Sequence, residues 1–306
     1  KQTTASAIRL SLVGSEMCIR DRIFVDDLGY GDPGCYGGTL PPTPHIDSLA
    51  HEGVRFTDGY VTAPLCAPSR SGLLSGAYQQ RFGMQWNPDI GEGRYTVPEG
   101  QKLMPQALSE AGYTTGIVRK WNMPHKAADF FDEVSDEMHF VGNYFPDADG
   151  KFAGVDGVPP PPYAEWYHEW GPDRDGDEYL TDRLSRHAVE FVRRNKDEPF
   201  FLYLAYNAPH SPFQAKHKPN EQFGEISPEP LRIYAGMVAA IDEGVGQILN
   251  AVRDEGLDER PLIAFVSDNG PDSADTRYAN WTDEWPKKIL MGSAGPLAGS
   301  KAMFLE

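Results

Sequence analysis

A cysteine and an arginine lie one helical turn apart at the start of a predicted helix. The segment 64–76 reads PLCAPSRSGLLSG, so that Cys66 stands just before a helix-initiating proline and Arg70 follows one turn later. A helix N-terminus and a guanidinium both favour negative charge at the cysteine. Hydrolysis of sulfate or phosphate esters needs a nucleophile beside such fixed positive charge. The pattern indicates a site of this kind, and its alternative is a small cysteine buried before a helix.

Oxygen-bearing side chains follow two predicted strands elsewhere in the chain. They are Asp26 and Asp27 after the first apolar run, and Asp268 and Asn269 after the last. Hard cations such as Ca²⁺ and Mg²⁺ prefer oxygen ligands, whereas zinc favours His and Cys. Carboxylates that converge without a cation repel one another and raise one another's pKa. The pattern therefore predicts a calcium-like site, with Mg²⁺ as the alternative ion and simple surface turns as the alternative interpretation.

Four βα units must position these residues. Apolar stripes at helical spacing predict helices, and short apolar or aromatic runs predict strands. The predicted strands are 23–25, 113–118, 200–206 and 262–266, with the last two buried, and the predicted helices are 43–53, 98–111, 178–194 and 231–252. This alternation predicts an α/β fold with a mostly parallel central sheet flanked by helices.

Each predicted strand ends in polar residues on its carboxyl side, which is the edge where open α/β sheets bind ligands. Arg119 and Lys120 follow the second strand, and His210 follows the third. Core packing does not require carboxylates, amines and an imidazole at one edge, although strand-end polar residues often only turn the chain. We expect these side chains to meet in one site.

The segment 145–177 interrupts the alternation and predicts a long surface loop. Four consecutive prolines at 159–162 precede a group of aromatic residues, which are Tyr163, Trp166, Tyr167 and Trp170. Their rings could stack on the rings of a sugar, or they could pack against the domain itself.

Composition excludes several classes of protein. Of 306 residues, 45 are acidic and 28 are basic, and the resulting net charge of −17 disfavours a nucleic-acid partner. The apolar runs are shorter than the roughly 18 residues that a membrane span needs. The three cysteines, Cys18, Cys35 and Cys66, have neither metal-ligand spacing nor the even number of a disulfide framework.

Taken together, the motifs resemble those of the type I sulfatases, the formylglycine-dependent members of the alkaline phosphatase superfamily. The run CAPSR from Cys66 to Arg70 is similar to the signature in which the cysteine is oxidised to formylglycine. The other matching runs are DDLGYGD at 26–32, TPHID at 43–47, GLLSG at 72–76 and SDNG at 267–270. The resemblance covers the chain from residue 23 to residue 306.

The resemblance also implies a role for each site residue. Ca²⁺ would be held by Asp26, Asp27, Asp268, Asn269 and an oxygen of the modified Cys66, and the catalytic and substrate-binding residues would be Arg70, Lys120, His210 and Lys301. Arg70 would orient the modified side chain, the two lysines would bind sulfate, and His210 would protonate the leaving oxygen. Asn122, also expected to bind substrate, stands where the family usually has a histidine, and an amide can only hydrogen-bond. Nearby His125 would replace that histidine if the loop brings it into the site.

On this resemblance the expected reaction is hydrolysis of a sulfate ester of a carbohydrate or an aryl alcohol. A hydroxyl of the hydrated aldehyde at position 66 would attack sulfur, and the cation would neutralise the sulfuryl oxygens. The expected partners are a sulfated small molecule or glycan and a formylglycine-generating maturation enzyme. Two alternatives stay open: a phosphodiester or phosphonate hydrolase of the same superfamily, and a catalytically silent domain that binds sulfated polymers.

The two ends of the chain carry separate expectations. The run SLVGSEMCIRDR at 11–22 resembles translated sequencing-adaptor read-through, so we expect 1–22 to be foreign to the natural protein. We expect 23–306 to be a sulfatase catalytic domain that is incomplete at its C-terminus and lacks the family's smaller C-terminal subdomain. The resemblance further predicts a periplasmic or secreted location.

Overall fold

Five parallel strands form the central sheet, with helices on both of its faces. The computed structural model describes residues 19–87, 97–98, 100–123, 125–138, 142–152, 169–170, 178–216, 223–227, 229–257, 261–275 and 288–303. In chain order its elements are β1 (Ile19–Val25), α1 (Pro44–Glu52), α2 (Cys66–Ser75), α3 (Met104–Ser109), β2 (Thr114–Lys120), β3 (Glu133–Met138), β4 (Glu169–Trp170), α4 (Leu180–Asn195), β5 (Phe200–Ala205), β6 (Gln214–Ala215), α5 (Glu229–Asp254), β7 (Pro261–Ser267), β8 (Asp272–Asp275) and β9 (Lys288–Met291).

The order of strands in the main sheet is β3-β2-β5-β1-β7, and every neighbouring pair is parallel. β1 lies between β5 and β7, with Ile23 opposite Leu204 on one side and opposite Phe265 on the other. Parallel strands need crossover connections, and the helices of this chain supply them. The predicted α/β fold with a mostly parallel, helix-flanked sheet is confirmed.

Side chains of alternate strand residues point to opposite faces of the sheet and pack into two separate hydrophobic clusters. Ile23 and Val25 of β1 pack into the larger cluster with the apolar stripes of α4 and α5. Phe24, which points to the opposite face, packs into the smaller cluster with Leu74 of α2. Burial on both faces explains why β5 consists only of apolar and aromatic residues. The carboxyl edge of the sheet is therefore held rigidly between two packed layers.

Two predicted elements differ from the structure. The helix predicted at 98–111 is only Met104–Ser109, because Pro105 lacks an amide hydrogen and fits only the first turn of a helix. The strand predicted as buried at 262–266 is β7, whose residues are mostly half-buried, and Leu262 is 50% exposed. β7 lies at the end of the strand order and has a pairing partner only on the β1 side among the described residues.

Further differences concern segments of which only a part is described. β1 begins at Ile19, four residues before the predicted start, so residues 19–22 of the segment expected to be foreign continue this strand. In the predicted surface loop, the two residues of β4 pair in parallel with β6. The aromatic residues Tyr163, Trp166 and Tyr167 lie outside the described residues, as does the segment 1–18. None of the helices in the described part of the chain has the length and apolar character needed to cross a bilayer.

Candidate active site and metal centre

Cys66 is the first residue of α2 and lies inside the protein. The preceding residue, Leu65, is extended and gives the helix no side-chain cap, and Cys66 is only 3% exposed. Burial raises the pKa of its thiol, and the charges of Lys120 and Lys301 offset this only in part. An unmodified Cys66 is therefore a neutral thiol at the positive end of a helix dipole.

Two amide side chains contact the sulfur of Cys66. Asn122, which follows β2, places its Nδ2 3.1 Å from Sγ. Asn87 places its Nδ2 3.4 Å from the same atom, and its Oδ1 accepts a hydrogen bond from the backbone N–H of Ala67 at 3.2 Å. Asn122 is a predicted site residue, whereas Asn87 belongs to none of the motifs in the sequence. Its contact arises from tertiary folding, so no local pattern indicated it.

Arg70 is fully buried on the inner side of the site. Its Nη2 and Nε donate to Oδ2 of Asp268 at 2.9 and 3.2 Å, and its Nη1 donates to the backbone carbonyl of Lys120 at 3.0 Å. The guanidinium also lies over the ring of Phe24, 5.0 Å from its centroid. Arg70 thus connects the ends of β2 and β7 to α2 and fixes the orientation of one carboxylate.

The remaining predicted site residues surround the carboxylates that follow β1. Lys120 donates to Oδ2 of Asp26, and Lys301 donates to Oδ2 of Asp27 at 2.8 Å. Nε2 of His210 lies 3.6 Å from the same oxygen of Asp27. The structure therefore brings residues from four strand ends, and Lys301 from beyond β9, to one place.

Burial and neighbouring charges raise the pKa of some of these groups and lower the pKa of others. Burial alone would raise the pKa of the Asp26 carboxyl, but the charges of Lys120, His210 and Arg70 hold it well below its usual range. Burial and the charges of neighbouring carboxylates raise the pKa of Asp27 well above its usual range and that of Asp268 to about 6. Burial, together with the charge of Lys301, lowers the pKa of His210. Asp26 is therefore kept ionised by its cationic neighbours, whereas Asp27 and Asp268 ionise less readily than an exposed aspartate.

The donor set fits a hard divalent cation. Carboxylate oxygens of Asp26 and Asp268 lie within 4.8 Å of each other and of the sulfur of Cys66, and the same spacing joins Asp26, Asp27 and His210. Oδ1 of Asp26 and Oδ1 of Asn269 are buried without a hydrogen-bond partner in the described structure. Unpaired buried oxygens are costly unless a ligand satisfies them. A cation among these oxygens would satisfy both atoms and reduce the repulsion between carboxylates.

His125 does not occupy the place of the missing histidine. Its ring packs edge-on against Phe130, with the centroids 5.8 Å apart, and its backbone carbonyl accepts the indole N–H of Trp121. These contacts hold the half-buried His125 beside the apolar cluster that contains Trp121 and Phe130. Asn122, rather than His125, therefore contacts residue 66.

Another buried carboxylate, that of Asp32, holds the loop that carries Asp26 and Asp27. Asp32 accepts hydrogen bonds from the backbone N–H groups of Gly29 and Ser293, at 2.7 and 2.8 Å, and from the hydroxyl of Tyr234 at 2.6 Å. Asp32 lies in the motif that begins at Asp26, but its role was not predicted from the sequence. It fastens the loop after β1 to the segment after β9.

Comparison with known proteins identifies the family of the chain. The sulfatase family model matches residues 22–298. The chain is 33% identical over 268 residues to N-acetylgalactosamine-6-sulfatase of Rattus norvegicus, covering 81% of this chain and 49% of the relative. It is 33% identical over 272 residues to human arylsulfatase A, covering 82% and 52% of the two chains.

A solved structure of Ps i-CgsB in complex with k-i-k-neocarrahexaose has the same fold. It superposes with a TM-score of 0.70 at 34% sequence identity and covers 89% of this chain and 62% of its own. The chain spans about half the length of the curated relatives named above, 49% and 52%. The family match covers most of the chain and includes the four strand ends that form the site. Lys301 lies three residues beyond the matched region. The chain belongs to the sulfatase family.

Proposed function

We propose that the protein hydrolyses sulfate esters of carbohydrates or related aryl alcohols. The observation that carries the proposal is the position of Cys66. It lies at a helix N-terminus within 4.8 Å of carboxylate oxygens of Asp26 and Asp268. A nucleophile, a cation site and fixed positive charge thus share one buried space, as transfer of a sulfuryl group requires.

The proposal includes a cation and a modified residue. Asp26, Asp27, Asp268 and Asn269 would hold Ca²⁺, which when bound neutralises sulfuryl oxygens and lowers the pKa of a nearby hydroxyl. Cys66 would be converted to formylglycine by a maturation enzyme, so that an oxygen rather than sulfur faces the substrate. The unpaired oxygens of Asp26 and Asn269 support the cation, and the high pKa of the buried thiol argues against the unmodified sulfur as nucleophile.

Lys120 and Lys301 would bind the sulfate group of the substrate. Each now donates to an aspartate oxygen, and both are nearly buried, with side chains 2% and 10% exposed. A bound cation would compete for the aspartate oxygens and leave the two ammonium groups for the anion. The site therefore has local positive charge for sulfate within a chain of net charge −17.

His210 would donate the proton to the leaving oxygen. Its Nδ1 faces the backbone carbonyl of Ser211 and carries the hydrogen of that bond, so Nε2 is the atom that exchanges a proton with substrate. Burial and the charge of Lys301 keep the free imidazole neutral. An arriving sulfate ester brings negative charge close to Lys301 and Nε2, which raises the pKa of His210 and allows it to act as the acid.

The proposed substrate is a sulfated glycan. This chain resembles an N-acetylgalactosamine-6-sulfatase, and a structural neighbour is solved with a neocarrahexaose. Such polymers occur outside the cytoplasm, so we extend the proposal to a periplasmic or secreted location, which fractionation of the producing cells would test.

Rates on matched sulfate esters, phosphate monoesters and phosphate diesters would show which ester class the site prefers, and we expect sulfate.

The decisive experiment replaces the nucleophile. After co-expression with a formylglycine-generating enzyme, the peptide spanning residues 56–70 should show the mass loss from thiol to aldehyde. Cys66→Ala should abolish hydrolysis and leave the thermal melt unchanged, because alanine fits the space of the side chain. Cys35→Ala is the matched control, since Cys35 is also a free cysteine, and it should keep wild-type turnover. Sulfatase activity in Cys66→Ala would refute the proposed function.

A further inference from the structure

A side chain from outside the family motifs joins the N-terminus of α2 to the side chain of residue 66. Oδ1 of Asn87 accepts the N–H of Ala67 at 3.2 Å, which supplies the cap that Leu65 cannot give. The Nδ2 and Oδ1 of Asn87 also lie 3.4 and 3.6 Å from Sγ of Cys66. One amide therefore contacts both the helix end and the atom that residue 66 presents to the site.

Asn122 contacts the same atom from the end of β2. Its Nδ2 is 3.1 Å from Sγ, the residue is only 3% exposed, and its Oδ1 has no hydrogen-bond partner among the described residues. Sγ of Cys66 thus lies between two carboxamides. Each carboxamide offers an N–H that donates and an oxygen that accepts.

We propose that Asn87 is a positioning residue that, together with Asn122, holds the hydrated form of residue 66 and directs it toward Asp26 and Asp268. This inference rests on the proposed function, in which position 66 carries an aldehyde. Water adds across the C=O bond of that aldehyde to give two hydroxyl groups. An aldehyde oxygen only accepts hydrogen bonds, whereas each hydroxyl of the hydrate also donates one. Residue 66 can therefore donate to the unpartnered oxygen of Asn122, and to the oxygen of Asn87 that already accepts from Ala67, only when it is hydrated.

A purely structural role for Asn87 makes a different prediction. Capping α2 requires only an acceptor for the N–H of Ala67, and its loss would lower stability without changing the chemistry at residue 66. Positioning requires the whole carboxamide. The two roles are separated by Asn87→Ala, which removes both functions, and by Asn87→Asp, which keeps the acceptor at the helix N-terminus but has no N–H to donate.

The test measures the free aldehyde as well as turnover. In protein whose peptide mass shows conversion at position 66, methoxyamine condenses with the aldehyde to give an oxime and water, so the rate of oxime formation reports the fraction that is not hydrated. For Asn87→Ala we expect labelling to be about fivefold faster and kcat about fivefold lower, the factor that one hydrogen bond of ordinary net strength is worth. KM should change little, since Asn87 contacts neither Lys120 nor Lys301. Asn122→Ala should speed labelling in the same way.

Gln85→Ala is the matched control, because Gln85 carries the same functional group two residues earlier and is exposed. It should label and turn over at wild-type rates. Wild-type labelling and wild-type kcat in Asn87→Ala would overturn the inference. If that variant lacks a cooperative melt, Asn87→Asp decides: a folded protein with reduced kcat supports positioning, and one with wild-type kcat overturns it. A converted wild-type protein that hydrolyses no sulfate ester would instead contradict the proposed function, and the labelling contrast would still decide the role of Asn87.

Discussion

The buried charges of the site balance one another without a bound ligand, and this balance explains how the site would accept one. Lys120 and Lys301 neutralise Asp26 and Asp27, while Arg70 neutralises Asp268. Arg70 differs from the lysines because its guanidinium is held by three hydrogen bonds and is completely buried. In the proposed function the lysines would turn to the sulfate group, whereas Arg70 would stay in place and support the site.

Replacing Arg70 should therefore affect stability more than the binding of substrate. Arg70→Met leaves the carboxyl of Asp268 buried without its partner, and breaking a buried pair in this way costs about 3–5 kcal/mol. Arg70→Lys should lower the free energy of unfolding by less, because lysine keeps the positive charge. It should still lower it, because lysine cannot make both hydrogen bonds to Asp268. Urea unfolding at neutral pH measures both. A loss below about 1 kcal/mol in Arg70→Met would show that Asp268 does not depend on this contact.

The titration of Asp32 should make the free energy of unfolding depend on pH, independently of any catalytic group. Burial raises the pKa of its carboxyl to about 6, although hydrogen bonds from Tyr234, Gly29 and Ser293 lower it. An unfolded aspartate titrates near 3.8, so between pH 4 and pH 6 the folded state binds more protons than the unfolded state does. The free energy of unfolding should therefore fall as pH rises through this range, by at most about 3 kcal/mol from Asp32.

Asp32→Asn should remove this contribution, because the amide oxygen still accepts hydrogen bonds and does not titrate. The measurement is urea unfolding of both proteins at several pH values from 4 to 7. The wild type should lose stability relative to Asp32→Asn as pH rises. Parallel stability curves would show that the folded and unfolded pKa values of Asp32 are equal.

At the scale of elements, α1 obtains its N-terminal cap from another helix. Thr43 precedes α1 but makes no side-chain capping bond. Instead, Oδ1 of Asp242 in α5 accepts the backbone N–H groups of His45 and Ile46 at 3.0 and 2.8 Å. Asp242 is only 4% exposed, so this contact connects two elements through the interior.

Loss of this cap should be measurable. Asp242→Ala should lower the free energy of unfolding by about 1–2 kcal/mol, the upper part of the range for a lost N-cap. Asp242→Asn keeps the acceptor oxygen and should lose less than about 0.5 kcal/mol. Urea unfolding provides the comparison. Equal losses in the two variants would mean that the charge of Asp242, rather than its acceptor atom, stabilises α1.

Sequence periodicity predicted the long elements well and the short ones poorly. The apolar stripes of α4 and α5 placed both helices to within two residues of their observed bounds, because each stripe covers several turns that bury one face. The six-residue helix α3 has too few turns for such a stripe, and Pro105 sets its start. The apolar composition of β7 did not reveal that it lies at the end of the sheet, since strand order is a tertiary property.

The candidate site shows the same division. Motifs predicted the residues that follow β1, β2, β5 and β7, because parallel topology brings strand ends to one edge. Asn87 was missed because its contact with Cys66 joins residues 21 positions apart, across α2 and the turns that follow it. Asp32 lies in the motif that begins at Asp26, but its partner Ser293 lies 261 residues away along the chain. Contacts of this kind have no periodicity, so only the folded chain shows them.

The whole molecule should be stabilised by a divalent cation if the proposed site binds one. Repulsion within a chain of net charge −17 and the unpaired oxygens near Asp26 both favour uptake of a divalent ion. At a hundredfold excess over Kd, a ligand that binds only the folded state adds about 2.7 kcal/mol. Ca²⁺ should therefore raise the Tm by several degrees over protein treated with a chelator.

The control for this shift is ionic strength. NaCl matched in ionic strength should not reproduce the rise in Tm, because screening acts on exposed charges rather than on the buried cluster. Asp27→Asn should abolish the rise, whereas Asp58→Asn, at an exposed acid away from the site, should retain it. A rise that persists in Asp27→Asn would place the stabilising ion elsewhere.

The order of strands also determines when the central sheet can be completed during translation. β1 is made early, but its two neighbours contain Leu204 and Phe265, so the middle of the sheet stays open until most of the chain has left the ribosome. At roughly 5–20 residues per second, translation from Cys66 to β7 takes about 10–40 s. Throughout that interval Asp268, which lies beside Cys66 in the folded protein, has not yet been synthesised. The proposed maturation enzyme would therefore have to reach Cys66 during those seconds, because the side chain is only 3% exposed in the folded protein.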